Sequence, residues 1–192
     1  LVIFTEKDPW VVEANENGVV NPETLRDTFG AWAQVHLNNN DTRHLLTGFE
    51  LGAGLGISNF SSVCTEDAVS LSQSVFAPSD PDWSARIGPI AAHEIGHTLG
   101  LTHDGEEAIL CSWECHENYK LYFDTTDCDE GGFVMGAQIS TRTKEFSECS
   151  LYQLHILTTL GIPGQYGGRQ DVASCLLDQP SSCEDDPQAE CR

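Results

Sequence analysis

The segment His93-Glu94-Ile95-Gly96-His97-Thr98-Leu99-Gly100-Leu101-Thr102-His103-Asp104 constrains the local fold of this chain more than any other. His93 and His97 stand four residues apart, so on a helix both imidazoles leave one face, a turn apart, and can grip one ion. Glu94 then lies beside that ion without having to ligate it. Gly100 lets the backbone leave the helix through a conformation that residues with a Cβ adopt reluctantly. That exit lets His103 swing back as a third ligand. Three neutral imidazoles leave the fourth position of a tetrahedral zinc ion for water, the donor set of a catalytic rather than a structural site. Zinc lowers the pKa of such a water towards about 7, and Glu94 is placed to take its proton as the water attacks a carbonyl. A bare HExxH arises by chance in unrelated helices. Here Gly100 and His103 would be left without a purpose if the histidines were ordinary surface residues.

Downstream, Phe133-Val134-Met135-Gly136-Ala137 holds the only methionine of the chain. A lone methionine is usually a soft core filler. Behind a three-histidine motif it resembles the Met-turn of the metzincin peptidases, a hydrophobic floor under the metal ligands. Asp104, directly after the third histidine, narrows the resemblance to the adamalysin or reprolysin branch, the ADAM and ADAMTS proteases. Thr5 to Pro9 followed by Leu25, Phe29 and Trp32 resembles the second strand and second helix of those catalytic domains. Asp41-Thr42-Arg43-His44-Leu45-Leu46-Thr47-Gly48 looks like their HD-x-A-x-LLTG strand, with Asn40 in place of the usual histidine. Phe146-Ser147-Glu148-Cys149-Ser150 and Cys175-Leu176-Leu177-Asp178-Gln179-Pro180 resemble the WSxCS and CLxDxP signatures of the ADAMTS branch. The chain departs from the simpler venom-type pattern in its long insert between Cys111 and Cys128, and lacks the cysteine often found two residues before the methionine.

The resemblance implies an α/β fold: a twisted, mostly parallel sheet with an antiparallel edge strand, an active-site helix, and a smaller irregular C-terminal subdomain ending in a helix. It assigns residues 1–180 to a metalloprotease catalytic domain that starts without the family's first strand and helix. Residues 181–192 then read as a linker or the start of a following cysteine-containing module. Leu55, Gly56 and Ile57 become the edge strand above the cleft, on which family substrates add as an extra strand. The eight cysteines allow 105 pairings. The resemblance implies Cys64–Cys175 and Cys111–Cys149, leaving Cys115–Cys128 to close the insert and Cys183–Cys191 beyond it. It also implies a structural calcium ion held by Asp41, the Cys175 carbonyl and Asp178, hard oxygen donors that suit that ion.

Thirty acidic against nine basic residues give a net charge of −21, which argues against a nucleic-acid or anionic-lipid surface as partner. No apolar run is long enough to span a membrane. An even cysteine count suits an oxidising compartment, and the sequons at Asn40 and Asn59 agree with it. The chain is thus expected to be secreted or part of a cell-surface ectodomain. It has neither an initiator methionine nor a signal segment, as expected of a processed or partially observed product. A propeptide or ancillary domains of the same precursor are the expected further partners, besides polypeptide substrates.

Local patterns place the elements. Leu1 to Phe4 reads as a strand. Asn21 caps a helix opened by Pro22, with Leu25, Phe29, Trp32 and Val35 or His36 on one face. His44 to Glu50 and Leu55 to Phe60 read as strands, and Pro78 to Trp83 as a loop. The motif helix is expected to carry Pro89 in its first turn, residues 104–132 to be irregular, and Ser147 to cap a helix with a Leu151, Leu154, Leu157 or Thr158 stripe. His36, His44 and His155 read as packing or surface residues. His116 reads as part of a disulfide-bearing loop, because oxidised cysteines offer no thiolate beside it. Gly52-Ala53-Gly54-Leu55-Gly56 lacks the lysine and helix start of a phosphate loop. Two functions remain: a zinc endopeptidase, or a non-catalytic adhesion or structural glycoprotein module on the same fold. The intact motif favours the enzyme.

Overall fold

A computed structural model describes residues 13–37, 40–52, 54–74, 83–105, 107–109, 122–124, 128, 132–138, 145–160 and 175–176. The first element is helix α1, Pro22–His36. Asn21 caps it by accepting the Thr24 N–H at 2.8 Å, while Pro22 begins the first turn where a missing N–H costs nothing. Leu25, Phe29 and Ala33 turn inward, whereas Val35 is 69% exposed and does not belong to the buried stripe. The side of α1 that meets the sheet is the one carrying Gly30, which abuts the Val69 side chain and draws Ala33 in with it.

Strands β1 (Arg43–Thr47), β2 (Gly56–Ser58) and β3 (Val69–Gln73) form one sheet in the order β1-β3-β2. β1 runs parallel to β3 and β2 antiparallel to it. Among the described residues β2 pairs with β3 alone. Local patterns did not reveal β3, the central strand. Val69-Ser70-Leu71-Ser72 alternates apolar and hydroxyl residues like a half-solvated strand, yet all four are buried. Val69 and Leu71 face α1 and join Leu25, Phe29 and Leu45 in the main core. The serines point the other way, beneath helix α2 (Trp83–Leu99), and their small size lets that helix lie close to the sheet.

Helix α2 begins at least six residues before Pro89, so the proline sits inside the helix rather than in its first turn. Its fixed φ suits a helix, and the cost is one missing N–H toward the preceding turn. The strands are also shorter than their apolar runs: β1 stops at Thr47 and β2 spans three residues. A small hairpin, β4 (Glu107–Ile109) with β5 (Tyr122–Asp124), occupies part of the segment expected to be irregular. The last helix, α3 (Glu148–Leu160), is capped by Ser147, whose hydroxyl accepts the Ser150 N–H at 2.9 Å. Its buried side is Ser150, Gln153 and Leu157, while Leu151 is 52% exposed. Polar Gln153 takes the inner place because Thr102 offers it a hydrogen-bond partner.

Two disulfides are described. Cys64 is joined to Cys175 across 111 residues, with Cα atoms 6.3 Å apart. Cys149 is joined to Cys128, also at 6.3 Å, which overturns both Cys111–Cys149 and Cys115–Cys128. Cys128 lies just before the Met-turn segment and comes within bonding reach of the first turn of α3. The family resemblance pairs Cys149 with Cys111 and leaves Cys115–Cys128 as the remainder, and neither step takes account of that proximity. Cys111, Cys115, Cys183, Cys191, His116, Asp178 and the Leu1–Phe4 strand lie outside the described residues. The architecture is mixed α/β, with a small mixed sheet and packed helices.

Candidate metal centre

The end of α2 shows how the motif becomes a site. Gly100 has φ +97°, and the N–H groups of Gly100 and Leu101 close onto the carbonyls of His97 and Gly96 at 2.9 Å each. The loop after β2 supplies further donors: Ser61 N–H reaches the His97 carbonyl, and Ser62 and Val63 N–H reach that of Thr98, each at 2.9 Å. The terminal carbonyls of α2 are therefore satisfied by the chain leaving the edge strand, which ties β2 to the motif helix. His103 returns after the glycine so that the three Nε2 atoms of His93, His97 and His103 lie 3.0 to 3.2 Å from one another.

These nitrogens do not bond one another. His93 Nδ1 donates to the Val134 carbonyl at 2.6 Å and His97 Nδ1 to the Leu101 carbonyl at 2.8 Å. A neutral ring that carries its proton on Nδ1 offers a bare lone pair at Nε2. Converging lone pairs repel unless a cation lies between them. Tetrahedral zinc with ligands at 2.0–2.1 Å would set nitrogens about 3.3 Å apart, close to the observed spacing. Burial lowers the pKa of His93, and it lowers that of His97 to about 4 with help from neighbouring His93. Both rings are thus held in the ligating form, and the donor set fits zinc.

The floor beneath them acts through backbone as well as side chain. The Met135 carbonyl accepts the Asp104 N–H at 2.9 Å, and the preceding Val134 carbonyl orients His93. Met135 itself is fully buried with Leu101, Val134 and Leu157. A Cβ on Gly96 would come 2.5 Å from its sulfur, so the Met-turn reaches the helix only because residue 96 is glycine. Asp104 is buried, and the hydroxyls of Ser147 and Ser150 lie 2.7 and 3.0 Å from its Oδ1, anchoring the segment after His103 to α3. Gln153 fixes the residue before His103 by accepting the Thr102 N–H at 3.1 Å.

Glu94 follows His93 on α2 and faces the strand side of a cleft of about 660 Å³. Residues 54–58, Phe60, Ile90, the three histidines, Ala137 and Gln138 line that cleft. Its carboxyl is pushed up to about 7 by burial, against a hydrogen bond from the Ser58 side chain that favours the charged form. A carboxyl poised there suits proton transfer near neutral pH.

Other expected residues lie elsewhere. Asp41 is exposed, with Oδ1 3.4 Å from Cys175 Sγ and its carbonyl accepting the Cys64 N–H. Both sulfurs are oxidised, so Asp41, Cys64 and Cys175 offer no thiolate for a soft metal. Asn40 is exposed, and Asn59 Nδ2 donates to the Asp67 carbonyl at 2.9 Å. Gly96, Ser58, Gln153 and the Asp104–Ser147–Ser150 cluster escaped the motif reading. Only the alternation of Gly56 and Ser58 on one strand face, and the small residue between the two motif histidines, carried any signal of them.

Comparison with known proteins agrees with this geometry. A reprolysin profile, described as metallo-peptidase family M12, matches residues 2–147. The chain belongs to the M12 metallopeptidase family. A zinc metalloproteinase/disintegrin of Bitis gabonica is 32% identical over 156 residues, covering 78% of this chain and 39% of the relative. A hemorrhagic metalloproteinase-disintegrin-like kaouthiagin of Naja kaouthia is 28% identical over 166 residues, covering 82% and 32%. This M12 chain therefore spans well under half the length of these relatives.

Proposed function

We propose that this M12 chain is a zinc-dependent endopeptidase that hydrolyses peptide bonds of extracellular polypeptides. The observation that supports it most directly is three converging Nε2 atoms beside a buried carboxyl in an open cleft flanked by β2, which among the described residues pairs on one edge only. His93, His97 and His103 would hold zinc, which when bound supplies Lewis-acid activation of water and of the scissile carbonyl. Glu94 accepts the proton of the attacking water and returns it to the leaving amine nitrogen. The edge of β2 away from β3, around Leu55, Gly56 and Ile57, aligns an extended substrate through main-chain hydrogen bonds. Met135 floors the site and keeps the histidine-bearing segments in register.

Finer assignments belong to the same reading. The Phe146–Ser150 and Cys175–Pro180 signatures favour the ADAMTS branch. Asp41, the Cys175 carbonyl and Asp178 would bind calcium where the disulfide-tethered segment meets the start of β1. Eight cysteines support secretion, and among the described residues no helix is long and apolar enough to cross a membrane. Asn40 and Asn59 would carry glycans, that at Asn59 beside cleft-lining Phe60. Glycopeptide analysis showing both asparagines bare in secreted material would remove that part. Incubation with a mixed peptide library, with chelator and after zinc restoration, tests the main reading. Cleavage that chelation abolishes and zinc restores is expected; intact peptides throughout would leave an adhesion or structural module instead.

A further inference from the structure

Phe60 is the one phenyl ring among the described residues that line the cleft. Its place follows from how β2 lies along α2. An added Cβ on Gly56 would stand 2.6 Å from Glu94 Cγ, while the Ser61 N–H reaches the His97 carbonyl at 2.9 Å. The strand and the segment after it therefore run from the Glu94 end of the motif toward its His97 end. Little side chain enters the cleft from the strand itself, because Gly56 and Ser58 are small and Ile57 packs against the main core. Phe60, just past the strand, closes the far end, with its ring centre 6.3 Å from that of His97 and the planes 53° apart.

The backbone on either side of this ring is fastened. Asn59 N–H donates to the Val69 carbonyl at 3.0 Å, its Nδ2 donates to the Asp67 carbonyl at 2.9 Å, and its own carbonyl accepts the Ser62 hydroxyl at 2.7 Å. Ser61 takes φ +51°, a left-handed conformation uncommon for a residue with a Cβ, and its N–H bond to α2 holds it there. Phe60 nevertheless stays partly exposed and belongs to neither core cluster. A ring already fixed in place loses little entropy when a second apolar group covers it. Besides Glu94 and the three histidines, the described lining holds no ionisable side chain that would favour a charged partner.

Resting on the endopeptidase reading, we propose that Phe60 is a specificity-determining residue: its ring receives a large apolar side chain of the substrate, aliphatic or aromatic, close to the scissile bond. An extended chain advances about 3.3 Å per residue, so the 6.3 Å between the Phe60 and His97 rings places that side chain within about two residues of the bond. Side chains alternate along an extended chain, so the ring reads one substrate position and not its neighbour. The substrate class is a polypeptide with a bulky apolar residue at that position.

The test uses zinc-loaded chain and quenched-fluorescent peptides that carry Phe, Leu, Gly or Asp at one position at a time on either side of the cleaved bond. Parent, Phe60→Ala, Phe60→Leu and Glu94→Gln are compared for kcat/KM, with zinc content and melting temperature on the same samples. The parent should favour Phe or Leu over Gly by about tenfold or more at one position near the bond, the discrimination an apolar pocket provides. Phe60→Ala should reduce that preference to about twofold and leave the preferences at other positions in place. Phe60→Leu, which keeps an apolar surface, should retain most of it. Anisotropy of the labelled peptides on the Glu94→Gln chain should show the same preference in Kd, and Phe60→Ala should remove it there too. An unchanged preference in Phe60→Ala, or an equal loss of rate on every peptide, overturns the proposal while a parent faster than Glu94→Gln keeps the peptidase reading standing. A parent no faster than Glu94→Gln overturns both.

Discussion

Replacing Gly56 with alanine should disable catalysis while leaving the fold and the metal ligands intact. An added Cβ would lie 2.6 Å from Glu94 Cγ and Oε1 and 2.7 Å from Cδ, where ordinary contact needs about an ångström more. Either β2 backs away or the carboxylate moves. Backing away would strain the Gly56–Ser72, Ile57–Leu71 and Ser58–Ser70 pairing of a three-residue strand. Turning Glu94 off its rotamer costs only about 0.5–1.5 kcal/mol, so the side chain should yield first. A displacement of about 1 Å in a catalytic group corresponds to roughly a hundredfold loss in rate, whereas overpacking destabilises by about 1–3 kcal/mol. The assay is kcat on a short peptide, with zinc content and urea unfolding measured on the same samples. Gly88→Ala, on the same helix as Glu94 with nothing within 4 Å of its added Cβ, is the control and should keep full activity. Near-parental kcat in Gly56→Ala would refute the idea that strand and carboxylate are in forced contact.

Other outcomes follow from the same packing. Gly96→Ala drives a methyl into the Met135 sulfur and should cost about 1–3 kcal/mol, whereas Met135→Leu, similar in volume, should cost less than about 1.5 kcal/mol; equal unfolding midpoints for the two would contradict this. His44 is held down to about 4 by burial between β1 and α2, with its Nδ1 2.7 Å from Ser70 Oγ. The folded chain therefore favours the neutral ring, so this contribution is complete above 6.5 and drains away as pH falls toward 4. Between pH 7 and 4 the parent should lose about 3 kcal/mol more stability than His44→Gln, and parallel pH profiles would show that the ring is not buried as described. After EDTA and restoration of zinc alone, added calcium at about a hundred times its Kd should stabilise by about 2.7 kcal/mol; an unchanged melting temperature removes the proposed calcium site.

The sequence made the path of the motif legible because each step was local: a four-residue spacing, a glycine, and a third histidine. In the structure α2 ends at Leu99, Gly100 takes a positive φ, and His103 returns to the other two rings. The central strand was hidden for an equally physical reason. Ser70 and Ser72 look solvated in sequence, and only the approach of α2 shows that their smallness is needed. Gln153 misled in the same way, since its burial depends on the Thr102 N–H 51 residues away. The Cys128–Cys149 bridge depends on where the insert returns, which no spacing encodes. The close approach of Gly56 to Glu94 is likewise tertiary.

The account's central claim is that the three histidines hold a zinc ion while Glu94 handles the proton. Zinc content and peptide hydrolysis measured together on the parent and on Glu94→Gln test it most directly. The substitution keeps the shape of the side chain and removes its basicity. We predict about one zinc per chain in both proteins and a loss of at least about a hundredfold in hydrolysis in the variant. A Glu94→Gln chain that holds zinc and still cleaves peptide at the parental rate would contradict the claim.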